Sequence, residues 1–345
     1  MRIFFPLFLS VLLLLLLLLG CGRGGRAVVV YTSVDDVFAM PVFEAFEKET
    51  GIRVLPVFDA EATKTAGLYH RILAEKERPR ADVFWNSEAA RTVDLERAQL
   101  LDPYASPAAR DIPSRFASPA GSWTGFGLRA RVIVYNKNLV APEDRPRSIR
   151  DLAEARFRGQ AGIAYPLFGT TATHMGALRA RLGKEGLEEF VLALIANGVR
   201  VLDGNSVVRD RVASGEIRIG LTDTDDAHVA LRKGLPVGIV FPDQEAPYPG
   251  LGRPLGTFLI PNTVARIRGG PHPEEGKRFL DFLLRPATEE TLARGDSAQI
   301  PVRPGLERPR LLDVPASLVS MDVSWEEISS GMEESVDFLR RAFVR

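Results

Sequence analysis

From Ala27 to Ser87 the chain alternates short apolar runs with stretches of helical period, and this alternation limits the fold more than any other feature. Residues 27–31 (AVVVY), 52–58 and 81–85 (ADVFW) are short and rich in β-branched and aromatic side chains, as buried strands are. Between the first two, residues 36–49 put Phe38, Val42, Phe43 and Phe46 on one helical face, and Gly51 stops the run. Residues 64–76 do the same with Leu68, Ile72 and Leu73. The order strand, helix, strand, helix, strand requires a parallel sheet with right-handed crossovers. The three strands end in Thr32-Ser33, Asp59 and Asn86-Ser87, so these polar tips share one edge. In α/β proteins ligands bind outside that edge.

A second set of such tips follows. The strand at 161–164 ends in Tyr165, and Gly169-Thr170-Thr171 opens a helix to about residue 182. Gly169 lets the backbone approach a ligand, and a helix N-terminus offers free N–H groups and partial positive charge to an anion. Ordinary threonine capping is the alternative. His174 reads as a packed or surface helix residue. A helix at 186–196, a strand at 199–202 and a helix at 207–213 capped by Ser206 come next. Then an apolar run, 217–221, stops at Thr222. The five residues Thr222-Asp223-Thr224-Asp225-Asp226 all carry hydroxyls or carboxylates before a helix at 227–231. One of them suffices to cap that helix, so five predict a polar loop with a further task.

The strands at 130–135 (ARVIVY) and 256–260 (GTFLI) read as two crossings between lobes, with a further strand at 235–241 and an irregular loop at 243–253. A short helix is expected near 148–155. Repeated prolines break residues 102–119. Helices are expected at 273–284 and at 325–343, the second an amphipathic cap on the body.

The beginning of the chain has another character. Met1-Arg2 is basic, residues 3–19 are apolar apart from Pro6 and Ser10, and Leu18-Leu19-Gly20-Cys21 follows. This pattern marks residues 1–20 as an export signal. Leu-Leu-Gly-Cys resembles the bacterial lipobox, which implies cleavage before Cys21, a lipid on its thiol and a tether over residues 21–26. A membrane-spanning anchor is the alternative, but the run falls just short of the ~18 residues such a span needs. Cys21 is the only cysteine, so no disulfide forms within the chain. With 44 basic and 44 acidic residues there is no basic excess for nucleic acid. The length of 345 residues suits two domains.

The lipobox, the strand ending in Tyr31-Thr32-Ser33, "FEAFEKETGI" and "ADVFWNSE" resemble the solute-binding proteins of bacterial ABC importers. "TGFGLRARVIVYN", "FGTTATH", "GLTDTDDA" and "AQIPVRPG" are similar to its ferric-iron-binding group. The resemblance implies an α/β, two-lobed periplasmic-binding-protein fold of type II, with mixed or parallel sheets flanked by helices and two crossing strands at the hinge. It implies one lobe from 27–130 with 256–345 and another from 131–255. Ligand would sit between Thr32, Ser33 and Asn86 on one wall and Gly169, Thr170, Thr171, Thr222, Asp223, Asp225 and Asp226 on the other. It further implies a periplasmic or cell-envelope lipoprotein that delivers its solute to a membrane permease, without a cofactor of its own.

Iron-binding relatives commonly carry two adjacent tyrosines in the loop matching residues 223–226, and this chain has Asp225-Asp226 there. Carboxylates are hard oxygen ligands too, so Asp225 and Asp226 are the candidate metal ligands for Fe(III) as transported ligand. A phosphorylated, phosphonate or other organic solute is the rival. An extracytoplasmic hydrolase using the aspartates is a second class, but the chain has no G-x-S-x-G, H-E-x-x-H or P-loop motif, and a ligand sensor for a membrane receptor, sharing the same site, is a third. The expectation is therefore a receptor and not an enzyme.

Overall fold

A computed structural model of the protein describes residues 26–59 and 66–343. The export signal, Cys21, nearly all of the tether and residues 60–65 lie outside the described residues. Among the described residues nine strands form one sheet: β1 (Ala27–Thr32), β2 (Arg53–Phe58), β3 (Val83–Asn86), β4 (Trp123–Asn136), β5 (Ala161–Ala164), β6 (Arg200–Leu202), β7 (Ile219–Asp223), β8 (Val237–Val240) and β9 (Leu259–Arg266). Their order is β2-β1-β3-β9-β4-β7-β5-β6, with β8 also on β4. β1 pairs with β2 and β3 in parallel, and β5 with β6 and β7, as the alternation with helices requires.

β4 joins the two halves of the sheet. Its first part pairs with β9, residues 131–135 pair with β7 and residues 133–136 with β8. Helices α1 (Asp36–Thr50), α2 (Ala66–Ala74), α3 (Ala90–Arg97), α7 (Pro273–Leu283) and α8 (Pro286–Arg294) follow in the first half. Helices α4 (Gly169–Ala196), α5 (Asn205–Ala213) and α6 (Thr224–Arg232) belong to strands of the second. The first half packs Phe43, Phe46, Trp85, Phe126 and Phe279 into one aromatic core, with Phe46 and Phe279 edge to face at 5.1 Å. The last helix, α9 (Trp325–Phe343), is amphipathic and lays Ile328 and Met332 on α4 at Gly176.

Several expectations are corrected. β4 starts at Trp123, well before residue 130, because residues 123–126 already pair with β9. β9 runs from Leu259 to Arg266, past the end expected at residue 260 and through Pro261. Pro261 faces a register shift in β4, where the Leu128 N–H and C=O are both bonded to Ile300 instead. A residue without an N–H is tolerated there. β7 extends to Asp223 and α6 starts at Thr224, so residues 222–226 form a tight junction rather than a loop. α5 starts at Asn205, with Gly204 and not Ser206 at its N-cap. The helices expected at 170–182 and 186–196 are the two arms of α4, broken at Gly183, whose φ is 76°. The segment near residue 150 is a short 3₁₀ turn, Ile149–Ala153, and β8 is shorter than the run 235–241.

Candidate functional site

The strand tips of both halves open on one cleft of about 760 Å³. Asp35, Phe38 and Ser87 face it from the first half. Tyr165, Phe168, Gly169, Thr170 and Thr171 face it from the β5–α4 turn, and Asp203, Asn205 and Arg209 from the β6–α5 region. Asp223, Asp225 and Asp226 come from the β7–α6 junction, and Arg129 from β4. A second hollow of about 600 Å³, lined by Arg150, Arg181, Phe190 and Tyr248, shares none of these residues.

The floor of the cleft is an ionic network. Arg129 and Arg131 are two apart on β4, so both point to one face of the strand. Arg131 is fully buried; its Nη1 donates to Asp223 Oδ1 at 2.7 Å and to Asn205 Oδ1 at 3.0 Å. It also donates to the hydroxyls of Thr170 and Thr171, each at 3.2 Å. Asp223 Oδ2 accepts from the Thr170 hydroxyl at 2.7 Å, Asn205 Nδ2 at 3.1 Å and Arg129 Nη1 at 3.2 Å. Burial alone would raise the Asp223 carboxyl, but Arg131, Arg129 and the Thr170 hydroxyl outweigh it and hold it below the usual range. Asp223 is therefore a fixed anion, and its lone pairs are committed.

Asp225 differs. Arg129 approaches it only to 3.6 Å, and burial with the nearby Asp223 charge pushes its carboxyl up to about 6, against the pull of Arg129. Asp226 meets Arg209 Nη1 at 3.4 Å. One carboxylate oxygen from each of Asp223, Asp225 and Asp226 lies within 4.8 Å of the others. Arg129 also donates to the Ser87 carbonyl, which ties β4 to the tip of the first half. The N-termini of α4, α5 and α6 all open on the same cleft, and none of the three has a side-chain cap. In α6 the Asp226 N–H donates to Asp225 Oδ1 at 2.9 Å, so it is the starts of α4 and α5 that favour negative charge there.

Gly169, Thr170, Thr171, Asp223, Asp225 and Asp226 thus meet on the cleft wall. Thr32, Ser33, Asn86 and Thr222 are buried and do not line it, and their side chains are used internally. The Thr32 hydroxyl accepts from the Val34 N–H at 3.1 Å, and Ser33 Oγ donates to Asn86 Oδ1 at 2.5 Å. Asn86 Nδ2 donates to Glu88 at 3.1 Å, and Thr222 donates to the Asn205 carbonyl at 3.1 Å. His174 is buried and stacks on Phe258 at 5.3 Å; burial lowers its pKa to about 3, helped by Arg131, so it is a neutral packed ring. Sequence reasoning missed Arg129, Arg131, Asn205 and Arg209. The available signal was the pair of arginines at i and i+2 inside a strand otherwise apolar, which calls for buried acids opposite.

The family model described as "Bacterial extracellular solute-binding protein" matches residues 81–330. Iron uptake protein A1 of Synechocystis sp. is 28% identical over 77% of this chain and 72% of its own length. Ferric ion-binding protein A of Pasteurella haemolytica, in its apo form, superposes with a TM-score of 0.80 at 20% identity, covering 93% of this chain and 100% of that one. The periplasmic binding protein AfuA of Actinobacillus pleuropneumoniae, with exogenous fructose-6-phosphate bound, gives a TM-score of 0.79 at 20% identity, covering 93% and 99%. These superpositions establish a likeness of fold.

Proposed function

This chain belongs to the bacterial extracellular solute-binding proteins, and we propose that it captures a small solute by closing two lobes on the cleft at the strand tips. It is the non-catalytic substrate-binding component of an ABC importer, and it works in the cell envelope with a permease as partner. The observation that carries the closing motion is the cleft itself. Asp35, Phe38 and Ser87 come from one half of the sheet, and Thr171, Asp225 and Asp226 from the other. The lobes in this reading are residues 27–130 with 256–345, and residues 131–255. A lipid on Cys21 would keep the receptor beside its permease.

Two ligand readings have support. The first is iron(III): relatives are named for ferric iron, and the hard oxygens of Asp225 and Asp226 would be its ligands. The second is an organic solute with an anionic head. It is favoured by Arg129 and Arg131, two cations set against the single Asp223 carboxylate that both hold, and by the uncapped N-termini of α4 and α5. The fold neighbour holding fructose-6-phosphate is consistent with it.

Native mass spectrometry of the protein as isolated, then thermal shifts with Fe(III), phosphate, phosphonates and sugar phosphates, separates the two. X-ray scattering with and without the ligand so found tests the receptor reading. Closure requires compaction at saturation, and an unchanged radius of gyration counts against it.

A further inference from the structure

The mouth of the cleft is apolar, in contrast with its ionic floor. Phe168 keeps 39% of its surface exposed, and its ring stacks on Tyr165 at 5.8 Å and 29°. Val37, 68% exposed, and Phe38 face the same space from the opposite half of the sheet, and Val229 adds to it from α6. Phe168 sits at the N-cap of α4, one residue before Gly169 and the uncapped start of that helix. Next to it, a Cβ on Gly169 would meet nothing within 4 Å.

A bare ion has no use for this arrangement. A cation needs oxygen ligands at close range, and a small inorganic anion needs only donors. A cleft of about 760 Å³ falls in the size class of organic ligand sites, which combine apolar walls with a few placed polar groups. An exposed aromatic ring on one wall of a ligand cleft, with the exposed Val37 on the other, costs solvation in the empty protein and recovers it only when a carbon skeleton covers it.

Resting on the importer reading and deepening its second ligand, we propose that the solute is an organic anion of the sugar phosphate class. Phe168 and Tyr165 form the platform that selects its body. The charged head lies at the N-termini of α4 and α5. The C–H face of the ring covers Phe168, and the hydroxyls donate to Asp225 and Asp226. Phe168 is then a specificity-determining residue: it discriminates a head with a body from the head alone.

Calorimetry on the mature chain tests this with glucose 6-phosphate, ribose 5-phosphate, inorganic phosphate and Fe(III) as probes. The expected result is that a sugar phosphate binds more tightly than inorganic phosphate. Phe168→Ala then weakens the sugar phosphate by about tenfold or more, while Phe168→Tyr keeps its affinity. Weak binding of inorganic phosphate stays the same in both variants. Should Phe168→Ala fail to fold, Phe168→Leu, which keeps bulk but loses the flat face, carries the same expectation. Equal affinity of the wild type and the folded variant for every sugar phosphate overturns the proposal. Binding of Fe(III) with none of the sugar phosphates overturns it as well, and leaves the importer reading standing. Loss of both readings together would show as no compaction in scattering with any probe.

Discussion

Arg131 and Asp223 meet at 2.7 Å with side-chain exposures of 0% and 1%, one on β4 and the other at the end of β7. Neither charge has access to water, so each depends on the other as its nearest counter-charge. Removing one partner of a buried pair costs about 3–5 kcal/mol, because a charge is left without compensation. Arg129 remains beside Asp223 at 3.2 Å and softens the loss. Arg131→Met and Asp223→Asn should each destabilise by about 3 kcal/mol in urea unfolding. The double variant should cost clearly less than their sum, since the two residues couple. Additive losses would mean that the pair does not act as a unit.

Asp225 offers the cleft a carboxylate whose charge depends on pH. Its carboxyl is pushed up to about 6, first by burial. A raised acid favours the folded state while protonated; that contribution is complete below the unfolded pKa and is lost as pH rises through about 6. Ligand binding runs the other way. Hydroxyls or a metal need the ionised form, so affinity should fall as pH drops from 7.5 to 5. Asp225→Asn should bind more weakly at pH 7.5 and lose most of this dependence. Titration calorimetry at the two pH values measures both.

A similar shift lies away from the cleft. Burial pushes the Asp243 carboxyl up to about 6, against hydrogen bonds from Ser148 and from the Ile149 N–H. Its φ of 60° is a conformation that asparagine adopts nearly as readily. The Ile149 N–H at 3.2 Å needs only an acceptor, which an amide also provides. Asp243→Asn should therefore stabilise the protein by about 1–2 kcal/mol at pH 7.5, where the wild type holds a buried charge. At pH 4 the gain should vanish. Melting curves at the two pH values decide it, and equal shifts at both would remove Asp243 as the cause.

The legible part of the fold was set by periodicity. The runs at 27–31 and 81–85 alternate with helical stretches, and alternation leaves few topologies. The cluster at 222–226 was legible as a site because five oxygen-bearing residues in a row exceed any capping need. Its geometry was not: whether the strand stops at Thr222 or Asp223 depends on pairing with Arg131 of β4, a contact distant in sequence. α3 and α8 went unread because ARTVDLER and PATEETLAR are largely polar, and α3 takes its N-terminal bonds from the buried Glu88 carboxylate. Pro261 concealed the rest of β9, since a proline marks a strand end unless its partner strand is irregular.

Two glycines with positive φ separate stability from binding. Gly256, at φ 81°, leads into β9, and a Cβ there would lie 2.6 Å from the Ser320 carbonyl carbon. Both the left-handed backbone and the backbone clash oppose a side chain, so Gly256→Ala should destabilise by at least about 2 kcal/mol. Gly169, at φ 56°, begins α4 on the cleft wall, and a Cβ there meets nothing within 4 Å. Only the conformational term remains, about 1 kcal/mol, so Gly169→Ala should melt only a few degrees lower. The added methyl would stand where a ligand must approach the free N–H groups of α4. Affinity should then fall by about tenfold, a disproportionate loss beside the small change in melting. Unfolding and ligand titration of the two variants side by side test the contrast. If Gly169→Ala binds as the wild type does, the N-terminus of α4 is not part of the contact surface.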